Sequence, residues 1–297
     1  MKKHLLVSAF AVALTTLAAG VQAQANDTLA KIKSSSKVVM GVRESSAPLS
    51  YTLGDGKYTG YHVELCQNIL KSIAPGATVE YTPVTSANRI PLVQNGTVDI
   101  ECGSTTNNAT RQKDVSFALT TYVTEVRTAV KTTTKIKSIA DLEGKTVATT
   151  TGTTSVALLR KHKRGADVKF NEVYGKDHAD SFLLLESGRA DAFVMDDNIL
   201  AGLIAGSKNP KDFTIVGETL NIEPIAIMVR KDDPAFKKAV DDYIRAAIKS
   251  GELNKLYTKW FLAPIPPKNT SVNLAMGSVL KGLLKTPSDA PAEEFNK

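Results

Sequence analysis

Hydroxyls, amides and arginines cluster most densely in residues 99–111, a stretch that follows a strand-like run and carries almost no large apolar side chain. Side chains of this kind compete with the backbone for hydrogen bonds and disfavour regular structure. Gly103 admits a close main-chain approach. Arg111 supplies a permanently charged fork whose donors match a carboxylate. Alone, such a stretch reads as a solvated loop with a surface arginine. Three similar polar clusters change that reading. Arg43-Glu44-Ser45-Ser46 and Thr85-Ser86-Ala87-Asn88-Arg89 each follow an apolar run, and so does Thr151-Gly152-Thr153-Thr154-Ser155. The last opens a helix. Its free N–H groups, its glycine and its hydroxyls suit an anion or carboxylate, but the Gly-Lys-Ser/Thr spacing of a phosphate loop is absent.

The elements that must position these groups alternate. Residues 37–42, 79–84, 98–102, 146–150, 168–173 and 190–195 read as strands, with amphipathic helices between them. One helix carries Val63, Cys66, Ile69, Leu70 and Ile73 on one face. Ser86 is expected to cap the helix that holds Arg89 in its first turn. Such alternation implies a parallel sheet with ligands at the carboxyl ends of its strands. Arg43, Ser86, Arg89, Ser104, Thr106 and Arg111 all follow strand ends. Singly, each arginine reads as a surface charge or a structural ion pair. Together in one crevice they would repel unless an anion lay among them. His178 opens a helix and can donate to a carboxylate. Of Asp196 and Asp197, at the end of a strand, one can accept from an ammonium while the other caps the next helix.

Residues 117–130 are apolar and β-rich and read as a first crossing between two lobes, with a return strand over 222–230. A long helix beginning at Asp232-Asp233-Pro234 and a packed segment with Leu253, Trp260 and Phe261 follow. The polar end of the chain is expected to fray.

Lys2, Lys3 and His4 precede an apolar run over residues 5–19, and Val21-Gln22-Ala23 or Ala23-Gln24-Ala25 supplies a small-residue cleavage pattern. This reads as a secretory signal peptide of residues 1–25, cut near Ala23 or Ala25. The mature chain is expected to be soluble and exported. Loss of Lys2 and Lys3 lowers the net charge from +7 to +5. No basic block is interleaved with aromatics, which argues against a nucleic-acid partner. The two cysteines, Cys66 and Cys102, sit on a helix face and at a strand end. In an oxidising compartment a disulfide is expected ahead of two buried thiols or a metal pair.

Further motifs point to a family. Gly60-Tyr61, the Ser-Thr-Thr-x4-Arg loop, the Ile-x2-Leu-x-Gly-Lys segment and Gly188-Arg189-Ala190-Asp191-Ala192 follow one another in an order that resembles the family-3 solute-binding proteins of amino-acid ABC importers. Asn88-Arg89-Ile90-Pro91-Leu92, Glu101-Cys102-Gly103-Ser104, Lys176-Asp177-His178 and Phe193-Val194-Met195-Asp196-Asp197 resemble the glutamate/aspartate-binding members. His62 stands where the family usually has an acid, and a surface effect is expected of it.

The resemblance implies a type II periplasmic-binding-protein fold: two α/β lobes, two hinge strands and a ligand in the cleft between them. Lobe 1 would comprise residues 26–129 and 220–297, and lobe 2 residues 130–219. It further implies a monomeric periplasmic protein with no metal or cofactor, delivering L-glutamate or L-aspartate to an inner-membrane permease. Arg111, Ser104, Thr106 and Thr153 would hold the α-carboxylate and Asp196 the ammonium. Arg43, Ser86 and Arg89 would face the side-chain carboxylate, assisted by Thr150 and His178. Exported cyclohexadienyl dehydratases share the scaffold and form the alternative, with Asp196 or His178 as general acid.

Overall fold

The computed structural model describes residues 27–165 and 168–296. The expected signal peptide and its cleavage site lie outside them. In chain order the described residues form α1 (Thr28–Ser35), β1 (Lys37–Val42), β2 (Ser45–Ser46), β3 (Ser50–Gly54), β4 (Lys57–Thr59), α2 (Tyr61–Ile73), β5 (Thr78–Pro83), α3 (Arg89–Gln94) and β6 (Ile100–Glu101). The long strand β7 (Val115–Lys131) is followed by β8 (Thr146–Thr150), α4 (Thr154–Gly165), β9 (Asn171–Gly175), α5 (His178–Glu186), β10 (Ala192–Asp196) and α6 (Asp197–Gly206). A second long strand, β11 (Phe213–Arg230), then leads to α7 (Pro234–Ser250), α8 (Glu252–Tyr257) and α9 (Ser278–Lys285).

The main sheet has the order β5-β1-β6-β11-β7-β10-β8-β9. β5, β1 and β6 are mutually parallel at one end, and β10, β8 and β9 at the other. Between them β7 and β11 pair antiparallel from Lys131↔Phe213 to Val115↔Arg230, with a break in register between Val216 and Asn221. Each long strand belongs to two cores. Leu119 and Tyr122 of β7 and Ile225 and Ile227 of β11 pack with Met40, Leu65, Ile69, Phe236 and Phe261. Farther along the same strands, Val126 and Val130 pack with Val147, Leu159 and Val194, and Ala129 with Phe193. An apolar residue on either side of each crossing commits the chain to two lobes joined by two strands. Both sets of parallel strands end at the crevice between the lobes, where the expected polar clusters lie.

The local chemistry explains the boundaries. α7 starts because the Asp233 carboxylate accepts from the Phe236 amide at 3.1 Å, with Pro234 at the first helical position, and it stops at Gly251 with φ 76°. Phe236, Val240, Ile244 and Ala247 form its buried stripe. Cys66 on α2 and Cys102 after β6 are bridged at 2.07 Å, as expected, fastening that helix to the sheet.

Four expectations need correction. The return strand begins at Phe213, not 222: its first half is partly exposed and polar, so no apolar run marked it. Ser86 does not cap α3. Asn88 precedes that helix, and the Ser86 hydroxyl instead accepts from Arg43. His62 is not at the surface. It is wholly buried, with Nδ1 2.6 Å from the Gly103 carbonyl and Nε2 2.8 Å from Thr121 Oγ1. A carbonyl only accepts, so Nδ1 carries the proton and Nε2 accepts from the threonine. Nor is the polar C-terminal segment frayed. Asn107 Nδ2 donates to the Asp289 carbonyl at 2.8 Å, and Asn296 exchanges hydrogen bonds with both main-chain groups of Ile222 at 2.9 and 2.7 Å. The amides that suggested a loose tail are the groups that fasten it.

Candidate functional site: the cleft between the lobes

Arg43 leaves the end of β1 with its side chain wholly buried. Its Nη1 donates to Ser104 Oγ at 3.0 Å and its Nη2 to Ser86 Oγ at 2.8 Å. Nη2 also lies 3.2 Å from His178 Nε2 and 3.5 Å from Asp177 Oδ1, both in lobe 2. A guanidinium only donates, so His178 accepts at Nε2 and carries its proton on Nδ1, which donates to Thr150 Oγ1 at 2.9 Å. Thr150 in turn meets Ser181 Oγ at 2.8 Å. Burial, and next the Arg43 charge, hold the His178 pKa well below the ordinary value, so the ring is neutral. Both its nitrogens serve the protein, and the histidine orients Arg43.

Arg89, the first residue of α3, is 2% exposed and makes no side-chain hydrogen bond among the described residues; its Nε and Nη1 are buried without a partner. Burial lowers its pKa most, and the charges of Arg111 and Arg43 add to that. Arg111 donates from Nη1 to the Thr106 carbonyl at 2.9 Å and reaches the Gly152 carbonyl across the cleft at 3.4 Å. Gly152 has φ +82°, and a β-carbon there would stand 2.7 Å from the Ser86 carbonyl carbon. Only glycine allows the two lobes so close.

The Asp196 carboxyl ends β10 at 4% exposure and has no hydrogen-bond partner among the described residues. Burial pushes its pKa well above the usual range, with Glu223 and Asp197 adding to the effect and Arg111 opposing it. Asp197 points elsewhere: it accepts from Thr124 Oγ1 at 2.7 Å and ties α6 to β7.

The ten expected ligand residues are linked to one another at the lobe junction by hydrogen bonds and charges. Their hydroxyls are not equally free. Thr106 Oγ1 donates to Glu223 at 2.6 Å, Thr153 Oγ1 to the Thr150 carbonyl at 2.7 Å, and Ser104 Oγ to Ser46 Oγ at 3.0 Å. Ser86, as an acceptor from Arg43, keeps its own proton for another partner.

Sequence reasoning missed three acids of this cleft. Glu101 is buried beside Arg43, accepts from Thr105 Oγ1 at 2.9 Å and leaves Oε1 without a partner. Burial raises its pKa, opposed by Arg89, Arg43 and Arg111. Glu223 accepts from Thr106 and, at 2.8 Å, from Thr154 Oγ1. Asp177 accepts from Ser45 Oγ at 2.8 Å, joining the lobes on the far side of the cleft. Glu101 was hidden inside a motif read for its hydroxyls. Glu223 carried a usable signal, an acid between Ile222 and Pro224 in the otherwise apolar run 222–229.

Three guanidinium groups facing buried carboxylates, with one cation and one acid lacking hydrogen bonds, can hold a zwitterion that brings an additional carboxylate. Among the described residues no group of three or more histidines, cysteines or acids could hold a metal ion, and no helix is long and apolar enough to cross a membrane.

Residues 38–263 match the family described as bacterial extracellular solute-binding proteins, family 3. Over 98% of both chains this sequence is 45% identical to the L-glutamate/L-aspartate-binding protein of Pseudomonas aeruginosa. It is 44% identical to the glutamate/aspartate import solute-binding protein of Escherichia coli, over 95% of this chain and 97% of that one. Among solved structures, a mutant of ArgBP from T. maritima is similar with a TM-score of 0.70 and 28% identity, covering 78% of this chain and 98% of that one.

Proposed function

This chain belongs to family 3 of the bacterial extracellular solute-binding proteins, and we propose that it captures L-glutamate and L-aspartate and delivers them to the membrane permease of an ABC importer. The observation that carries this reading is Arg89, a buried guanidinium without a hydrogen bond among the described residues, which feels the charges of Arg43 and of Asp196, an acid that also makes no side-chain hydrogen bond there. A buried charge left this way is costly, and a ligand carboxylate offsets the cost.

In this reading Arg89, Arg43 and the free proton of Ser86 receive the side-chain carboxylate, with Thr150 and His178 bracing Arg43 from lobe 2. Arg111, the main-chain N–H of Thr106 and Ser104, once its hydroxyl turns from Ser46, receive the α-carboxylate. Thr153 joins them once its hydroxyl rotates from the Thr150 carbonyl. Asp196 accepts from the α-ammonium. Glutamine brings no charge to balance Arg89, so it is rejected. Closure about β7 and β11 excludes water and strengthens each charged contact.

We assign residues 26–129 and 220–297 to lobe 1 and 130–219 to lobe 2, with the crossing itself earlier, since Val126 and Ala129 of β7 already pack in the second core. The protein works as a monomer in the periplasm after its signal peptide is removed. Nothing favours the dehydratase alternative: the relatives that match over nearly the whole chain are transporter binding proteins, not enzymes.

Thermal unfolding of refolded, ligand-free protein tests the assignment. L-glutamate and L-aspartate should raise Tm in proportion to the logarithm of their concentration, whereas L-glutamine and L-arginine should leave it in place. A shift with glutamine equal to that with glutamate would overturn it.

A further inference from the structure

We infer that Glu223 is a positioning and specificity-determining residue of this cleft, latching the two lobes together and making the site demand a ligand that carries an ammonium group. The inference rests on the ligand reading above.

The latch is geometric. Glu223 lies in the hinge strand β11, is 1% exposed, and accepts through Oε2 from one hydroxyl of each lobe. Thr106 Oγ1 of lobe 1 donates at 2.6 Å and Thr154 Oγ1, at the start of α4 in lobe 2, at 2.8 Å. Asn221 Nδ2 holds the other oxygen at 2.9 Å. Both hydroxyls reach one oxygen only when the lobes are close, so the carboxylate favours the closed arrangement.

The demand for an ammonium follows from charge placement. In the sheet Asp196 pairs with Val126, which pairs with Asn221, and Glu223 is two residues beyond Asn221 on the same strand. Paired residues, and residues two apart, project from one face of a sheet. Asp196 and Glu223 therefore share a face, and the charges of both act on Arg111, which the Thr106 carbonyl holds. At the other end Arg43 and Arg89 meet Glu101. With Asp177 also beside Arg43, the formal balance is zero where the side-chain carboxylate is expected, and Asp196 and Glu223 against Arg111 leave −1 where the α-carbon is expected. A bare carboxylate is repelled at the second end, while one that brings its own ammonium is not. Burial and then the Glu223 charge raise the pKa of Asp196, the direction expected for two acids that share a face.

Calorimetric titration of wild type, Glu223→Gln and Thr154→Val with L-glutamate and with glutarate, which lacks only the ammonium, tests both halves. Glu223→Gln keeps an acceptor and removes the charge, and the preference for L-glutamate over glutarate should narrow by about tenfold or more. Thr154→Val removes the lobe 2 hydroxyl, and both ligands should weaken together by about tenfold, with their ratio unchanged. An unaltered ratio in Glu223→Gln would overturn the specificity role. Unaltered affinity in Thr154→Val would overturn the latch, and that variant keeps the test open should Glu223→Gln fail to fold. If wild type bound neither L-glutamate nor L-aspartate, the ligand reading itself would fall and this inference with it.

Discussion

Gly202 of α6 lies directly against the carbonyl of Ala47 across the lobe junction. A β-carbon added to it would collide with the carbonyl oxygen and stand 2.9 Å from the carbonyl carbon. The contact is backbone against backbone, so no side chain can swing aside. Gly202→Ala should therefore penalise the closed form alone, by roughly 1–3 kcal/mol. Calorimetry is expected to show binding of acidic ligands weakened by about tenfold, with the Tm of ligand-free protein nearly unchanged. Equal affinity in the variant would mean that the two lobes need not approach this closely to hold ligand.

Arg89 exchanges stability for recognition. Its buried Nε and Nη1 have no partner, and leaving buried donors unsatisfied costs about 1–3 kcal/mol, a cost that an apolar chain of similar length does not carry. Arg89→Met should raise the denaturant midpoint of ligand-free protein and abolish binding of L-glutamate. If the variant were instead less stable, the guanidinium would be a structural partner in the fold.

His62 gives the fold an acid limit. Burial, opposed by the hydrogen bond to Gly103, lowers its folded pKa to about 4, against an unfolded value of 6.5. The unfolded chain therefore takes up the proton first. The stabilisation is fully present above pH 6.5 and is lost as pH falls from 6.5 towards 4. The effect is about 3 kcal/mol across that window. At pH 7.5 His62→Phe should be the less stable protein, because the Gly103 carbonyl loses its donor. The gap should close as the pH approaches 4. Parallel stability curves for the two proteins would contradict this account.

The Cys66–Cys102 bridge closes a span of 36 residues. In the chain-entropy treatment a loop of that length contributes about 4 kcal/mol. Because Cys102 adjoins Gly103 and Ser104, losing the bridge also loosens the loop that supports Arg43. Chemical denaturation of a Cys66→Ser/Cys102→Ser double variant should show a loss of this order, together with weaker ligand binding. Full stability in the double variant would place the restraint elsewhere.

The alternation of strands and helices was legible because each apolar run had to enter a core. The arginines were legible because each follows a strand end, where side chains must face the crevice. Charges that satisfy one another inside the cleft were harder to see. Glu101 and Glu223 meet their partners through tertiary contacts, and sequence spacing does not encode which hydroxyl reaches which acid. His62 was misread for a related reason. It lies on the helix face next to Val63, and its partners Gly103 and Thr121 are 41 and 59 residues away. The first half of β11 escaped notice because its exposed polar residues gave the strand no apolar signature.

In the proposed reading Arg89 and Asp196, neither of which makes a side-chain hydrogen bond among the described residues, receive the side-chain carboxylate and the ammonium of an acidic amino acid. Isothermal titration of refolded, ligand-free protein with L-glutamate and L-glutamine tests it most directly, since the two ligands differ only in the group that Arg89 would meet. Binding of L-glutamate in the micromolar range or tighter, about −8 kcal/mol or more favourable, with no measurable heat from L-glutamine, is the expected result. Comparable binding of the two, or binding of neither, would contradict the account.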